Sequence, residues 1–195
     1  AIYVEQSLMA DAVGSQDQVA AAYGGFNKII FNPGGLIEVH PIKVSAERLG
    51  KLNSHLMLFF TGFSRTASEI ARHKINNINE RQSELRELRG MVDEGLEILS
   101  GDTSLNYFGE LLHHAWNVKT RLSEFISNSD IDNIYLQAIK AGAIGGKILG
   151  AGGGGFLLLF VPPKFQNEVK TALSNCTYVP FCFEGDGSQI IYRQE

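Results

Sequence analysis

The chain has 195 residues, 44% hydrophobic and 19% charged, with a formal net charge of −4. That is enough apolar material for a real core, and it is not the basic balance of a non-specific nucleic-acid binder. No apolar run reaches the length of a membrane span, no signal peptide is visible, and Cys176 and Cys182 have neither metal-site nor disulfide-framework spacing.

In chain order, residues 1–10 read as a helix with Ile2, Val4, Leu8 and Met9 on one side. "GSQDQ" is a loop or helix start, and "VAAAYGGFN" runs into a glycine turn. "KIIF", "NPGG" and "LIEVHPI" read as a hairpin. Ser45 caps a short helix to about Leu52, and "HLMLFFTG" is a buried strand. Thr66 and Glu69 form a capping box that opens one long helix, its stripe running from Ile75 and Ile78 to Leu96 and Leu99. Gly90 and Gly95 are expected to kink or loosen it. A second helix covers about 105–125, and a third begins near Asp130 and ends at Gly142. "GKILGA" and "GGFLLLFV" follow, then a helix over about 164–174, and "TYVPFCFEGDGSQIIY" as strand–turn–strand. The expected architecture is α+β, an antiparallel sheet covered by helices on one face.

Eight of the 21 glycines fall between Gly142 and Gly155. Gly150, Gly152 and Gly155 satisfy G-x-G-x-x-G, but a strand follows where a dinucleotide fingerprint needs a helix. Two readings stay open. One is a hairpin pressed against another stretch of protein. The other, which is favoured, is a ligand-facing loop whose bare N–H groups surround an anion. Asp17, flanked by Gln16 and Gln18, could act as a general base toward a substrate hydroxyl. The plainer alternative is that Ser15 or Asp17 caps the next helix. Glu5 could help hold a hard cation, or it is a surface glutamate.

"GSQDQVAAAYGGFN" together with "GGKILGAGGGGFLLLF" resembles the GHMP small-molecule kinase superfamily, and most of all its sugar kinases of the heptose 7-phosphate kinase, fucokinase and galactokinase type. The resemblance spans essentially the whole chain. It implies a ferredoxin-like C-terminal domain over 31–195, with 1–30 as a remnant of the N-terminal kinase domain. It implies ATP and Mg²⁺ as cofactors and a sugar or sugar phosphate as acceptor, in the cytoplasm, with no nucleic-acid or membrane partner. It assigns Asp17 as the catalytic aspartate and Glu5 as the Mg²⁺ glutamate. Gly150, Gly152, Gly153, Gly154 and Gly155 then form the phosphate-region loop, and Arg65 could meet a substrate phosphate. The family's nucleotide loop and a basic residue lie upstream of the aspartate and do not occur in these residues. The chain is therefore expected to be a C-terminal portion that is inactive alone and able to self-associate through exposed apolar surface. The alternatives are a mevalonate- or homoserine-type acceptor, or a non-catalytic binding module of the same fold.

His113 and His114 are adjacent on a helix and diverge by about 100°. One is expected to face the core and one the solvent. Trp116 is read as core and "ERQSELRELR" as a solvated helix face.

Overall fold

A computed structural model describes residues 1–63 and 78–192, so Arg65, Thr66, Glu69 and Ile75 lie outside the described residues. The chain divides into two units, residues 1–43 with 182–195, and residues 44–181.

In the first unit a single π-helical element, Val4–Leu8, leads to α1, Gln16–Tyr23. Gly24 and Gly25 then take φ values of 60° and 66°, a region that glycine enters without a Cβ penalty. Strands β1, Asn27–Phe31, and β2, Ile37–Pro41, pair antiparallel across the Asn32–Gly35 turn, as "NPGG" predicts.

The carboxyl-terminal segment departs from expectation. After β6, Thr177–Val179, no second strand forms among the described residues. Residues 184–188 instead close on the end of α1. Gly25 N–H donates to Glu184 O at 3.2 Å, and Ser188 N–H donates to Ala21 O at 3.1 Å. A Cβ at Gly187 would stand 2.1 Å from Ala22 O, and one at Gly24 would stand 2.2 Å from the Asp186 carbonyl carbon. The "EGDGS" glycines thus permit backbone-to-backbone packing rather than a hairpin.

In the second unit Ser45 caps α2, Ala46–His55, by accepting from Arg48 N–H. Strand β3, Leu56–Phe60, follows directly. Residues 78–80 form a turn, and α3 runs from Gln82 to Ser100, so the single long helix expected across Ile78 is broken there. Gly90 and Gly95 do not interrupt α3. Gly95 is buried, with Leu111 Cδ2 3.4 Å from where its Cβ would be, so the glycine lets the next helix close in. Helix α4 spans Asn106–Thr120 and stops short of the expected 125; Leu122 stays buried in the turns beyond it. Helix α5 spans Ser129–Lys140, capped by Asn128 Oδ1 on the N–H groups of Asp130 and Ile131. Strands β4, Gly145–Ile148, and β5, Phe156–Phe160, precede a short 3-10 turn and α6, Gln166–Ala172.

The sheet order is β4-β5-β3-β6 and every neighbouring pair is antiparallel. Side chains alternate faces along each strand. Met57, Phe59, Ile148, Leu157 and Leu159 share one face and form a core with Trp116, Ile131, Tyr135 and Val169 from the helices. The expected α+β layering, an antiparallel sheet with helices on one face, is what this unit shows.

Candidate functional site

Asp17 is the second residue of α1. Its carboxylate is exposed and has no hydrogen-bond or ionic partner among the described residues. Neither capping alternative is realised: Ser15 makes no side-chain cap bond and instead receives Gln6 Nε2 at 3.1 Å.

Glu5 is half-buried on the π-helical element. Its Oε2 accepts from Gln18 Nε2 at 2.5 Å, which ties the leading helix to α1. Gln18 Oε1 is buried without a partner, so a polar atom next to Asp17 is left unsatisfied. Such an atom is costly unless something donates to it. No group of three metal-ligating side chains exists among the described residues. Mg²⁺ at a phosphoryl-transfer site needs only one or two protein carboxylates beside substrate oxygens, so Glu5 fits as a single contributor.

The glycine run lies in the second unit, as the connection of β4 to β5. Gly150, Gly152, Gly153, Gly154 and Gly155 all have positive φ, from 68° to 152°. What forbids side chains here is largely protein. A Cβ at Gly152 would stand 2.9 Å from Ile126 Cα and O, and one at Gly154 would stand 2.7 Å from Phe63 O. Gly153 N–H donates to Ile126 O at 2.8 Å and Gly155 N–H to Phe63 O at 2.7 Å. Thr61 N–H and Oγ1 both donate to Gly155 O at 2.9 Å. Two N–H groups of the loop are therefore committed to protein carbonyls. Gly153 and Gly154 are buried, while Gly150 is exposed with open space where its Cβ would be. The hairpin-against-protein reading accounts for Gly152 and Gly154, and the open side of the loop is at Gly150 and Gly155.

Two residues at this turn were not singled out as site candidates from the sequence. Lys119, on α4, donates to Gly150 O at 2.8 Å and Ile148 O at 3.3 Å. Lys147, in β4, is half-buried, and loss of water around it holds its amine below the ordinary lysine range. An available signal was the absence of any Asp or Glu between Asp132 and Glu168, which leaves lysines as the only charged residues in that stretch of sequence. Arg65 lies outside the described residues.

The histidines behave as read. His113 is half-buried against Tyr135, and exposed His114 meets Glu87 at 2.8 Å. Glu87 also takes Arg121 at 3.0 Å, so the charged run on α3 is more than a solvated face. Among the described residues no helix is long and apolar enough to cross a membrane.

Residues 96–179 match the family model of the GHMP kinases C terminal. Over 178 residues the chain is 32% identical to D-glycero-alpha-D-manno-heptose 7-phosphate kinase of Campylobacter jejuni, covering 89% of this chain and 52% of that protein. It is 28% identical to a mevalonate kinase of Thermococcus gammatolerans, covering 85% of this chain and 51% of the other. Among solved structures, a D-glycero-D-manno-heptose 1-phosphate kinase from Bacteroides thetaiotaomicron superposes with a TM-score of 0.68 at 28% identity, over 98% of this chain and 54% of that one. The chain spans about half the length of these relatives.

Proposed function

We propose that the chain, whose residues 96–179 match the family model of the GHMP kinases C terminal, is the C-terminal portion of an ATP-dependent kinase that phosphorylates a hydroxyl of a sugar or sugar phosphate. The observation that carries the sugar assignment is the 32% identity to a heptose 7-phosphate kinase across 89% of the chain. Asp17 orients the acceptor hydroxyl and takes its proton as the oxygen attacks the γ-phosphorus and the bond to the departing ADP breaks. Its exposed, unpartnered carboxylate suits that role, because a general base needs free oxygens within reach of a substrate. Glu5 contributes one oxygen toward Mg²⁺, which supplies charge neutralisation on the phosphates when bound. The turn Gly150–Gly155 offers its open side at Gly150 and Gly155 to the phosphate region. Arg65 meets a substrate phosphate through its planar fork. Residues 1–30 belong with the preceding kinase domain, and the nucleotide loop comes from chain beyond these residues. The setting is cytoplasmic. The 195 residues alone self-associate through apolar surface such as Tyr23 and Leu36, each 62% exposed.

A mevalonate acceptor is the competing reading, favoured by the 28% identity to a mevalonate kinase. Both are tested by supplying Mg-ATP with heptose phosphates, fucose, galactose, mevalonate and homoserine, to this chain and to the full-length protein that contains it. Turnover is expected with a sugar or sugar phosphate, in the longer protein only. Asp17→Asn is expected to lower kcat by about 10²–10⁴ without altering the fold. Preference for mevalonate overturns the sugar assignment, and robust phosphorylation by the 195 residues alone overturns the need for a nucleotide loop from elsewhere.

A further inference from the structure

Two side-chain amides tie the leading helix to the start of α1, and the role of Asp17 accounts for neither. Gln18 Nε2 donates to Glu5 Oε2 at 2.5 Å, and Gln6 Nε2 donates to Val13 O at 2.9 Å and to Ser15 Oγ at 3.1 Å. Both joints lie within the first unit. Gln6 fixes the path of the chain that enters α1. Gln18 grips the carboxylate of Glu5 itself.

The grip is one-sided. Glu5 Oε2 is taken, while Oε1 has no hydrogen-bond or ionic partner among the described residues. The Gln18 amide has one workable orientation. Its Oε1 is buried without a donor, at a cost of about 1–3 kcal/mol. Turning the amide over would set that oxygen against Glu5 Oε2, and two acceptors facing each other are worse than one left unpaired. A buried polar atom kept unsatisfied calls for a reason other than stability. Consecutive helical residues diverge by about 100°. Asp17 is accordingly exposed while Gln18 is turned to the leading helix. One turn of α1 thus holds the Asp17 carboxylate and the grip on Glu5 in a fixed relation.

We propose that Gln18 is a positioning residue for Glu5: its amide occupies Oε2, fixes the plane of the carboxylate and leaves Oε1 as the oxygen offered to Mg²⁺. The inference rests on the reading of Glu5 as a Mg²⁺ contributor and is independent of which acceptor is phosphorylated. Mg²⁺ demands near-ideal octahedral geometry, so a carboxylate free to swing or to bind through both oxygens would serve it less well. Partners that orient a ligating carboxylate are worth about 10–100-fold in metal affinity.

The test measures Mn²⁺ affinity of the ADP complex by EPR, in the full-length protein that contains these residues. Gln18→Leu is expected to weaken Mn²⁺ binding about 10–100-fold. Glu5→Ala is expected to weaken it at least as much. Adding Gln18→Leu to Glu5→Ala is expected to change nothing further, because a residue that acts through Glu5 then has nothing left to position. Losses that add in the double variant assign Gln18 to general folding and overturn the proposal. Parent-like binding by Gln18→Leu, with Glu5→Ala impaired, overturns the proposal while leaving the metal role of Glu5 standing. Parent-like binding by Glu5→Ala removes that metal role and the proposal with it. Should Gln18→Leu not fold, side-chain amide exchange in the 195-residue chain decides. The Gln18 Nε2 protons are expected to exchange more slowly than those of exposed Gln16, and to lose that protection in Glu5→Ala. Equal exchange of the two amides in the parent overturns the proposal.

Discussion

His113 Nδ1 stands 2.7 Å from the Tyr135 hydroxyl, with the two rings stacked at 11° and 5.8 Å between centroids. One buried phenol therefore joins α4 and α5. Burial pushes the phenol well above its usual range, so it remains neutral and able to donate.

Tyr135→Phe keeps the ring and removes the junction. It leaves the half-buried His113 Nδ1 without its partner, and the expected cost is about 1–3 kcal/mol in urea unfolding. A variant as stable as the parent would show that water replaces the hydroxyl without loss.

The glycines of the turn should separate by mechanism. Gly150→Ala meets no atom within 4 Å and pays only for a left-handed φ of 68°, about 1–2 kcal/mol. Gly154→Ala pays that strain and also drives a methyl onto Phe63 O at 2.7 Å, for a total of about 2–5 kcal/mol. Equal losses on thermal unfolding of the two variants would contradict the close approach of backbone to backbone.

Arg48 reaches back from α2 to the end of α3. Its guanidinium donates to Leu99 O at 2.8 Å, to Thr103 O at 2.9 Å and to Ile98 O. These are carbonyls with no partner inside the helix, and a cation there also opposes the helix dipole. Arg48→Met is expected to destabilise by about 2 kcal/mol. Arg48→Lys should recover only part of this, since one ammonium cannot span three carbonyls. Full rescue by lysine would assign the effect to charge alone.

Lys147 sets a pH dependence. The folded chain holds its amine below the ordinary value of 10.5, because burial penalises the charged form. Between the folded and unfolded values the unfolded chain binds more protons, so this residue makes stability rise with pH across that window. Below the window the penalty is present in full. Lys147→Met is therefore expected to be more stable than the parent at pH 7, with the gap closing as pH approaches 10.5. A gap that stays constant with pH would assign the gain to packing.

The two thiols should differ in reactivity. Burial raises the Cys176 thiol above its ordinary range, while Cys182 is exposed. The thiolate is the nucleophile, so at pH 8 an alkylating reagent should modify Cys182 about tenfold faster or more. Comparable rates would mean that the region around Cys176 opens readily.

Much of this was legible in the sequence because it rests on short-range chemistry. The "NPGG" hairpin, the Ser45 cap, the strands flanking the glycine run and the core placement of Trp116 all follow from turn residues, a capping hydroxyl and side-chain period. The Asn128 cap lies two residues before Asp130, where the sequence places the helix start. The long helix expected across Ile78 was a periodic stripe that continued past a real break, since a stripe does not report where the backbone turns. At the candidate site, Asp17 and Glu5 were visible as acids in a polar setting. That Gln18 would bind Glu5, and that Ser15 would not cap α1, depends on how two helices meet.

By itself, the sequence determined that the connection between Ile148 and Phe156 is dense in glycine, the residue that positive φ and close backbone approach favour. Which neighbours make that approach was decided by tertiary structure: Ile126 and Phe63 are distant in the chain and reach the turn only when the sheet and helices assemble. The "EGDGS" segment obeys the same division. Its glycines announce a close contact, but whether that contact is a hairpin or the end of α1 depends on which surface lies opposite, and local residue preference carries no record of that.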